Sequence, residues 1–216
     1  MHVIPRSVAV SAPLRVRERL RHAPDGARTV VHAGRHALYL DLDGWCLGVV
    51  GRGAAQVPHL DLRRPRPRPL GADAVPAAVR EFVASVGLHR SPARPLDPAD
   101  ATRLVGRGDG LTPLGDDVLC GWLALHRAAG RATQVVDAAV RSLLPRTTLL
   151  SATLLDCALH GEVLPEYAAY VAAIGTPHEP DEAAALAAVG HTSGAGLLYG
   201  ALLARAELDH MNGVAA

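Results

Sequence analysis

Lysine is missing from this sequence: all 22 positions counted as Lys or Arg are arginine. A Walker-type phosphate loop needs its lysine on the β- and γ-phosphates, and a Schiff-base mechanism needs an amine, so both chemistries are excluded. Aromatic residues are nearly as scarce, with two Trp, four Tyr and one Phe, too few for a surface on which nucleobases stack. The three cysteines, Cys46, Cys120 and Cys157, are odd in number and far apart, with no CxxC or Cys/His metal spacing. They read as buried, reduced thiols of a cytosolic protein and not as a disulfide framework. Apolar runs fall short of the roughly 20 residues that span a bilayer, and the start "MHVIPR" lacks an export signal, so the expectation is a cytoplasmic protein with no membrane partner. A formal charge of +1 gives no reason to expect nucleic acid.

What the 216 residues do contain changes character along the chain. "RTVVHAGRHALYLDLDGWCLGVVGRG" holds two or three short runs of Val, Leu, Tyr and Trp broken by Ala33-Gly34 and Asp43-Gly44, and Asp-Gly between such runs signals a hairpin. Ahead of it, "SVAVSAPLRVRERLR" reads as a strand followed by a charged turn of helix. The alternating Arg/Pro segment "LRRPRPRPLG" fits neither a central strand nor a helix interior and reads as an extended boundary. Beyond it, "AVPAAVREFVASVGL" and the stretches 116–129, 132–144, 147–160, 164–174, 180–189 and 193–207 carry apolar residues at helical spacing. The fold class expected is α+β: a β-rich N-terminal part over 1–70, packed on a helical domain over 71–216.

Within that helical part, "GRGDGLTPLGDDVLCG" sets five glycines, Gly106, Gly108, Gly110, Gly115 and Gly121, around the carboxylates Asp109, Asp116 and Asp117. Thr112-Pro113 reads as an N-cap and first helical position, which puts Asp116 and Asp117 in or near the first turn. Glycines ahead of a helix N-terminus leave backbone N–H groups open to an anion, whereas paired carboxylates call for a donor: an amide NH₂, a hydroxyl or a metal ion. A small ligand with an anionic end and an amide end satisfies both halves. The candidate assignments are Gly108, Gly110 and Thr112 for the anion, and Asp116 and Asp117 for the amide or a Mg²⁺ ion, the one cofactor considered. The alternative is a tight turn with an ordinary cap.

Two further constellations follow. In "PRTTLLSATLLDCALHGE", Arg146, Thr147, Thr148 and Ser151 cluster on the first turn of a helix, a candidate clamp for phosphate or a carboxylate, or else a plain Thr-capped start. His160 reads as a dipole partner at the end of the same helix. In "VGHTSGAGLLYG", Ser193 and Gly194 are candidate ligand contacts and His191 is a candidate acid–base group beside them. The glycines there also carry a four-residue spacing that lets another backbone pack closely. No Ser/His/Asp set stands out, since Ser193 is not in a G-x-S-x-G elbow.

These three segments, in this order, resemble the AllH-like family, formerly a domain of unknown function. "GLTPLGDDVLCG" is similar to its G-x-GLTPSGDD-x-L-x-G signature, "RTTLLSATLLDCALHGEV" to its T-x-x-S helix, and "GHTSGAGLLYG" to its G-x-[ST]-SG-x-D-x-L-x-G segment. The resemblance covers roughly residues 104–205. Gly196 stands where that pattern often has Asp, and Leu114 where it usually has Ser. The resemblance implies a carbamoyltransferase subunit acting with carbamoyl phosphate on a small carboxylate amide such as oxamate in anaerobic allantoin use. Its implied partners are an FdrA-type subunit and other carbamoyltransferase subunits, or further copies of itself. Asp116, Asp117 and His191 are then the candidate catalytic residues. Two other functions fit the residues as well: a metal-assisted transferase or hydrolase of another small molecule, and a noncatalytic ligand-binding subunit.

Overall fold

A computed structural model describes residues 12, 14–35, 37–50, 75–88, 94–211 and 213. The expected strand before residue 12 and the Arg/Pro boundary segment lie outside the described residues. The chain opens with helix α1 (Leu14–His22) and a three-stranded antiparallel meander of β1 (Val30–Ala33), β2 (Ala37–Asp41) and β3 (Cys46–Val50). Helices α2 (Ala77–Ser85), α3 (Pro98–Leu104), α4 (Leu114–Ala128), α5 (Gln134–Leu143), α6 (Leu149–Leu159), α7 (Pro165–Ala173), α8 (Glu179–Ala187) and α9 (Ser193–Met211) follow. The mixed class is as the sequence indicates, a small sheet followed by helices.

The hairpin signal works through backbone geometry. Asp43 and Gly44 both have positive φ, 54° and 81°, and Leu42 and Trp45 exchange backbone hydrogen bonds across them. This two-residue turn matches the natural twist of paired strands and sets the register Leu40 opposite Leu47. The sheet is tied to the helices where the Cys46 N–H donates to Thr153 Oγ1 at 2.8 Å. Arg15 of α1 adds a second tie, donating to Asp156 and to both oxygens of Glu162 at 2.6–2.9 Å.

Helix α4 is the centre of the core, with every residue from Leu114 to His126 buried. Such a helix has no solvent face, which explains why its sequence is apolar around most of its circumference. Its chief neighbour is α9, and the two approach so closely that side chains are excluded from the seam. A Cβ added at Gly121 would lie 2.0 Å from the Leu197 carbonyl oxygen, and one at Gly200 would lie 1.9 Å from that of Val118. On the far half of the seam Glu207, buried in the core, accepts from Trp122 Nε1 at 2.9 Å, from the Leu96 N–H at 3.1 Å, and pairs with His126 Nε2 at 3.2 Å. Burying that carboxyl is tolerable because each of these groups brings it a partner.

Two local expectations change. Thr112 does not cap α4: Pro113 occupies the N-cap position with no side-chain cap bond, and the Thr112 hydroxyl turns to Ser193 instead. Helix α3 is an element that apolar periodicity over-looks. Its signal is the capping box of Asp97 and Asp100, whose side chains each accept the other's backbone N–H, with Pro98 at the first helical position.

Gly200→Ala forces a methyl group into backbone that has no room for it. Urea unfolding should show a loss of about 1–3 kcal/mol or more, as for overpacked cores. An unchanged midpoint would mean that the two helices part without cost.

Candidate functional site

The loop from Gly106 to Pro113 is held on both flanks. Gly106 and Gly108 adopt φ of 72° and 112°, and a Cβ on either would strike backbone, 2.4 Å from the Arg146 carbonyl oxygen and 2.7 Å from the Leu114 nitrogen. Gly115 is equally constrained, with its Cβ position 2.1 Å from the Leu104 carbonyl oxygen. Gly121 belongs to the α4–α9 seam. Of the five glycines, Gly110 alone has both positive φ, 89°, and open space around it. Most of the glycine content of this stretch is therefore spent on packing, and the exposed tip is the part open to a ligand.

Hydrogen bonds then draw three helix starts together. Thr148, the N-cap of α6, accepts from the Ser151 N–H at 3.1 Å while its hydroxyl donates to the Leu111 carbonyl oxygen. Thr112 Oγ1 lies 2.8 Å from Oγ of Ser193, the first residue of α9. Residues 111 and 112 directly precede α4. The N-terminal ends of α4, α6 and α9 thus meet, each bringing the positive end of its helix dipole, while several of their first N–H groups are already paired: Gly115 with the Arg107 carbonyl, Ser151 with the Thr148 hydroxyl and Gly194 with the Val189 carbonyl. Arg146 sits exposed beside this junction, and His191 lies in the exposed turn two residues ahead of Ser193. Gly194 is buried against α8, where a Cβ would lie 1.9 Å from the Leu186 carbonyl oxygen, so its role in the structure is packing.

The two adjacent aspartates have opposite environments. Asp116 is fully buried and accepts from the Gly106 N–H at 2.8 Å, from Ser151 Oγ at 2.7 Å and from Thr147 Oγ1. Thr147 and Ser151 are thereby committed to holding the loop and α6 to the start of α4. Burial raises the Asp116 pKa, and these three donors work against the rise. Asp117 is 4% exposed, and its Oδ2 has no hydrogen-bond partner. Burial pushes its carboxyl up to about 8, with the Ser193 hydroxyl lowering it and the charge of Asp116 raising it.

Asp117 lines a cavity of about 80 Å³ together with Thr112 and Ser193, and its walls include Cys120, Cys157, Tyr167 and Leu197. Sequence reading treated the two cysteines only as core thiols. Cys120 stands three residues after Asp117, and that helical spacing is the signal that could have placed it on the same face. Burial pushes the Cys157 thiol up to about 12 and raises Cys120 well above its usual value, so neither is an available thiolate. As a Mg²⁺ site the pair of aspartates fits poorly. Asp116 has spent its oxygens on three donors, and among the described residues no group of three or more His, Cys, Asp or Glu could hold a metal ion.

A glycine-locked loop, converging helix starts and a lone buried carboxyl oxygen come together beside a small cavity in the helical part of the chain. Residues 104–205 match the family model described as oxamate carbamoyltransferase subunit AllH, the family that the three motifs resemble. No curated protein and no solved structure matches the chain. Among the described residues no helix is long and apolar enough to cross a membrane. The two departures from the family pattern turn out to be neighbours. A Cβ on Gly196 would lie 2.7 Å from Leu114 Cδ1 and 2.8 Å from Asp117 Cβ, so the larger residue at 114 fills the space that a side chain at 196 would need.

Two outcomes follow. The folded Asp117 pKa, about 8, lies above the ordinary unfolded value of about 3.9, so the folded state holds the extra proton between those limits. Its contribution to stability is complete below pH about 3.9 and is lost as pH rises through about 8. Asp117→Asn should flatten the decline of melting temperature between pH 5 and 8 relative to the unaltered chain; parallel curves would show that Asp117 titrates normally. Second, Gly196→Asp alone should cost about 1–3 kcal/mol by overpacking, and adding Leu114→Ser should recover part of that loss. Strict additivity in urea unfolding would show that the two positions do not share space.

Proposed function

We propose that this chain is a carbamoyltransferase subunit whose site takes a small molecule with an anionic end and an amide end, as in the exchange of oxamate and carbamoyl phosphate with oxalurate and phosphate. The observation that carries the reading is the lone Asp117 oxygen in the first turn of α4, one of the three helices whose N-termini meet there. The two halves of such a molecule want those two environments. Phosphate or carboxylate is drawn to the exposed N–H groups at the Gly108–Gly110 tip, to the α6 start and to Arg146. An NH₂ group is drawn to the carboxyl oxygen that lacks a donor.

In the transfer, the amide nitrogen of oxamate attacks the carbonyl carbon of carbamoyl phosphate, the new C–N bond replaces the C–O bond to phosphate, and the nitrogen gives up a proton. Donors fixed around the carbonyl and phosphate oxygens would stabilise the charge that develops there. His191 is the acid–base candidate on this chain for the proton. With Cys120 and Cys157 buried as thiols and no lysine present, direct transfer between two bound substrates is favoured over a carbamoyl-enzyme.

A second reading has its own observation. Asp116, Thr147 and Ser151 are occupied with one another, which leaves few groups on this chain for chemistry and suits a ligand-binding subunit completed by an FdrA-type partner. Both readings are tested by mixing the chain with such a partner and following phosphate release from carbamoyl phosphate in the presence of oxamate. Asp117→Leu and Arg146→Ala should each lower kcat/KM about 10- to 100-fold, the first by removing the accepting oxygen and the second by removing a charged donor. Activity of the chain alone would exclude the purely binding role. Full activity of both variants in the assembled enzyme would overturn the site.

A further inference from the structure

The cavity that Thr112, Ser193 and Asp117 line has a chemistry more specific than the exposed mouth at the neighbouring loop tip. Ala124, Leu154, Leu164 and Leu197 supply apolar wall, and the neighbouring polar groups are largely committed. The Tyr167 hydroxyl donates to the Gly121 carbonyl oxygen, and Glu162 is held by Arg15. Asp117 lines this space on a side chain that is 4% exposed, and its Oδ2 has no hydrogen-bond partner. A buried carboxyl oxygen with no donor costs stability and needs an explanation.

We propose that this cavity seats an uncharged primary amide, the carbamoyl or carboxamide end of the substrate, hydrogen-bonded to Asp117, while the anionic end stays outside at the three helix starts. The inference rests on the transfer reading above for the identity of the whole ligand, but not for the existence of the amide pocket. The volume of about 80 Å³ matches a fragment of a few heavy atoms, since a water takes roughly 30 Å³. An amide is the group that fits chemically. It offers an N–H and a C=O side by side, so it can pair with a carboxyl group whether that group accepts only or also donates. A carboxylate or an ammonium ligand would carry a full charge out of water into these apolar walls, with one carboxyl group to meet it, whereas an amide enters uncharged. The mouth and the cavity thus divide the ligand by charge, with the Thr112 and Ser193 hydroxyls at the boundary.

The test uses acetamide as the probe, with acetate and N,N-dimethylacetamide as comparisons, in saturation-transfer NMR on the full chain. Acetamide should bind, and the two comparisons should bind at least about tenfold more weakly because each loses the N–H donors. Ala124→Leu fills the cavity and should abolish acetamide binding while leaving affinity for inorganic phosphate unchanged within about threefold. Should Ala124→Leu fail to fold, Asp117→Leu carries the same test: it removes the lone oxygen at similar shape, and is expected to raise the melting temperature while losing acetamide. The inference is overturned if acetamide fails to bind the unaltered chain, if acetate or dimethylacetamide binds equally well, or if the folded variant retains acetamide. Failure of phosphate to bind, with acetamide bound as described, would instead overturn the anion-binding mouth and leave the amide pocket standing.

Discussion

The close approach of α4 and α9 is the constraint on which the rest of the structure depends. Two helices come this near only where neither carries a side chain, and the chain meets that condition with Gly121 and Gly200 facing the backbone of the opposite helix. The consequences reach both ends of the seam. Toward the ends of the two helices, Glu207 of α9 takes the Trp122 N–H and the His126 ring of α4, which fixes their relative rotation. Toward their beginnings, Gly196 lies against Leu114 and Asp117, and Ser193 is brought to Thr112. The site is therefore the open end of a tightly closed helix pair, and its geometry inherits the rigidity of that pair.

Adjacent aspartates in that end behave differently because one helical residue is a rotation of about 100°. Asp116 points to the loop and α6, where a backbone N–H and two hydroxyls surround it. Asp117 lies against Gly196 of α9, where the Ser193 hydroxyl is near and much of the surrounding wall is apolar. The first is a structural clamp that holds the glycine loop in place; the second is the only one of the two left with an unpartnered oxygen among the described residues. A motif with two carboxylates thus divides its work, one building the loop junction and the other, in the function we propose, facing the ligand. The same division applies to the hydroxyls: Thr147 and Ser151 serve Asp116, whereas Thr112 and Ser193 stand at the cavity.

Much of this was open to sequence reading, and its limits are physical. The Asp43-Gly44 hairpin, the helical second half and the position of Asp116 and Asp117 in a first turn follow from local rules: a turn that needs positive φ, a period of 3.6, a dipole that favours carboxylates. Helix α3 escaped because its signal is a capping box and not a long apolar stripe. Thr112 was read as a cap because the Thr-Pro pair obeys the local rule, but its hydroxyl is claimed by Ser193, 81 residues away. The sequence by itself determined the succession of a small sheet and then helices, and the three segments whose helix starts meet, since these are written in spacing and residue type. The tertiary structure alone decided which glycines pack and which stays open, which aspartate is satisfied and which is left with a bare oxygen, and that Leu114 fills the space beside Gly196. Those outcomes turn on contacts between helices distant in sequence, where a few tenths of an ångström separate a partner from a clash.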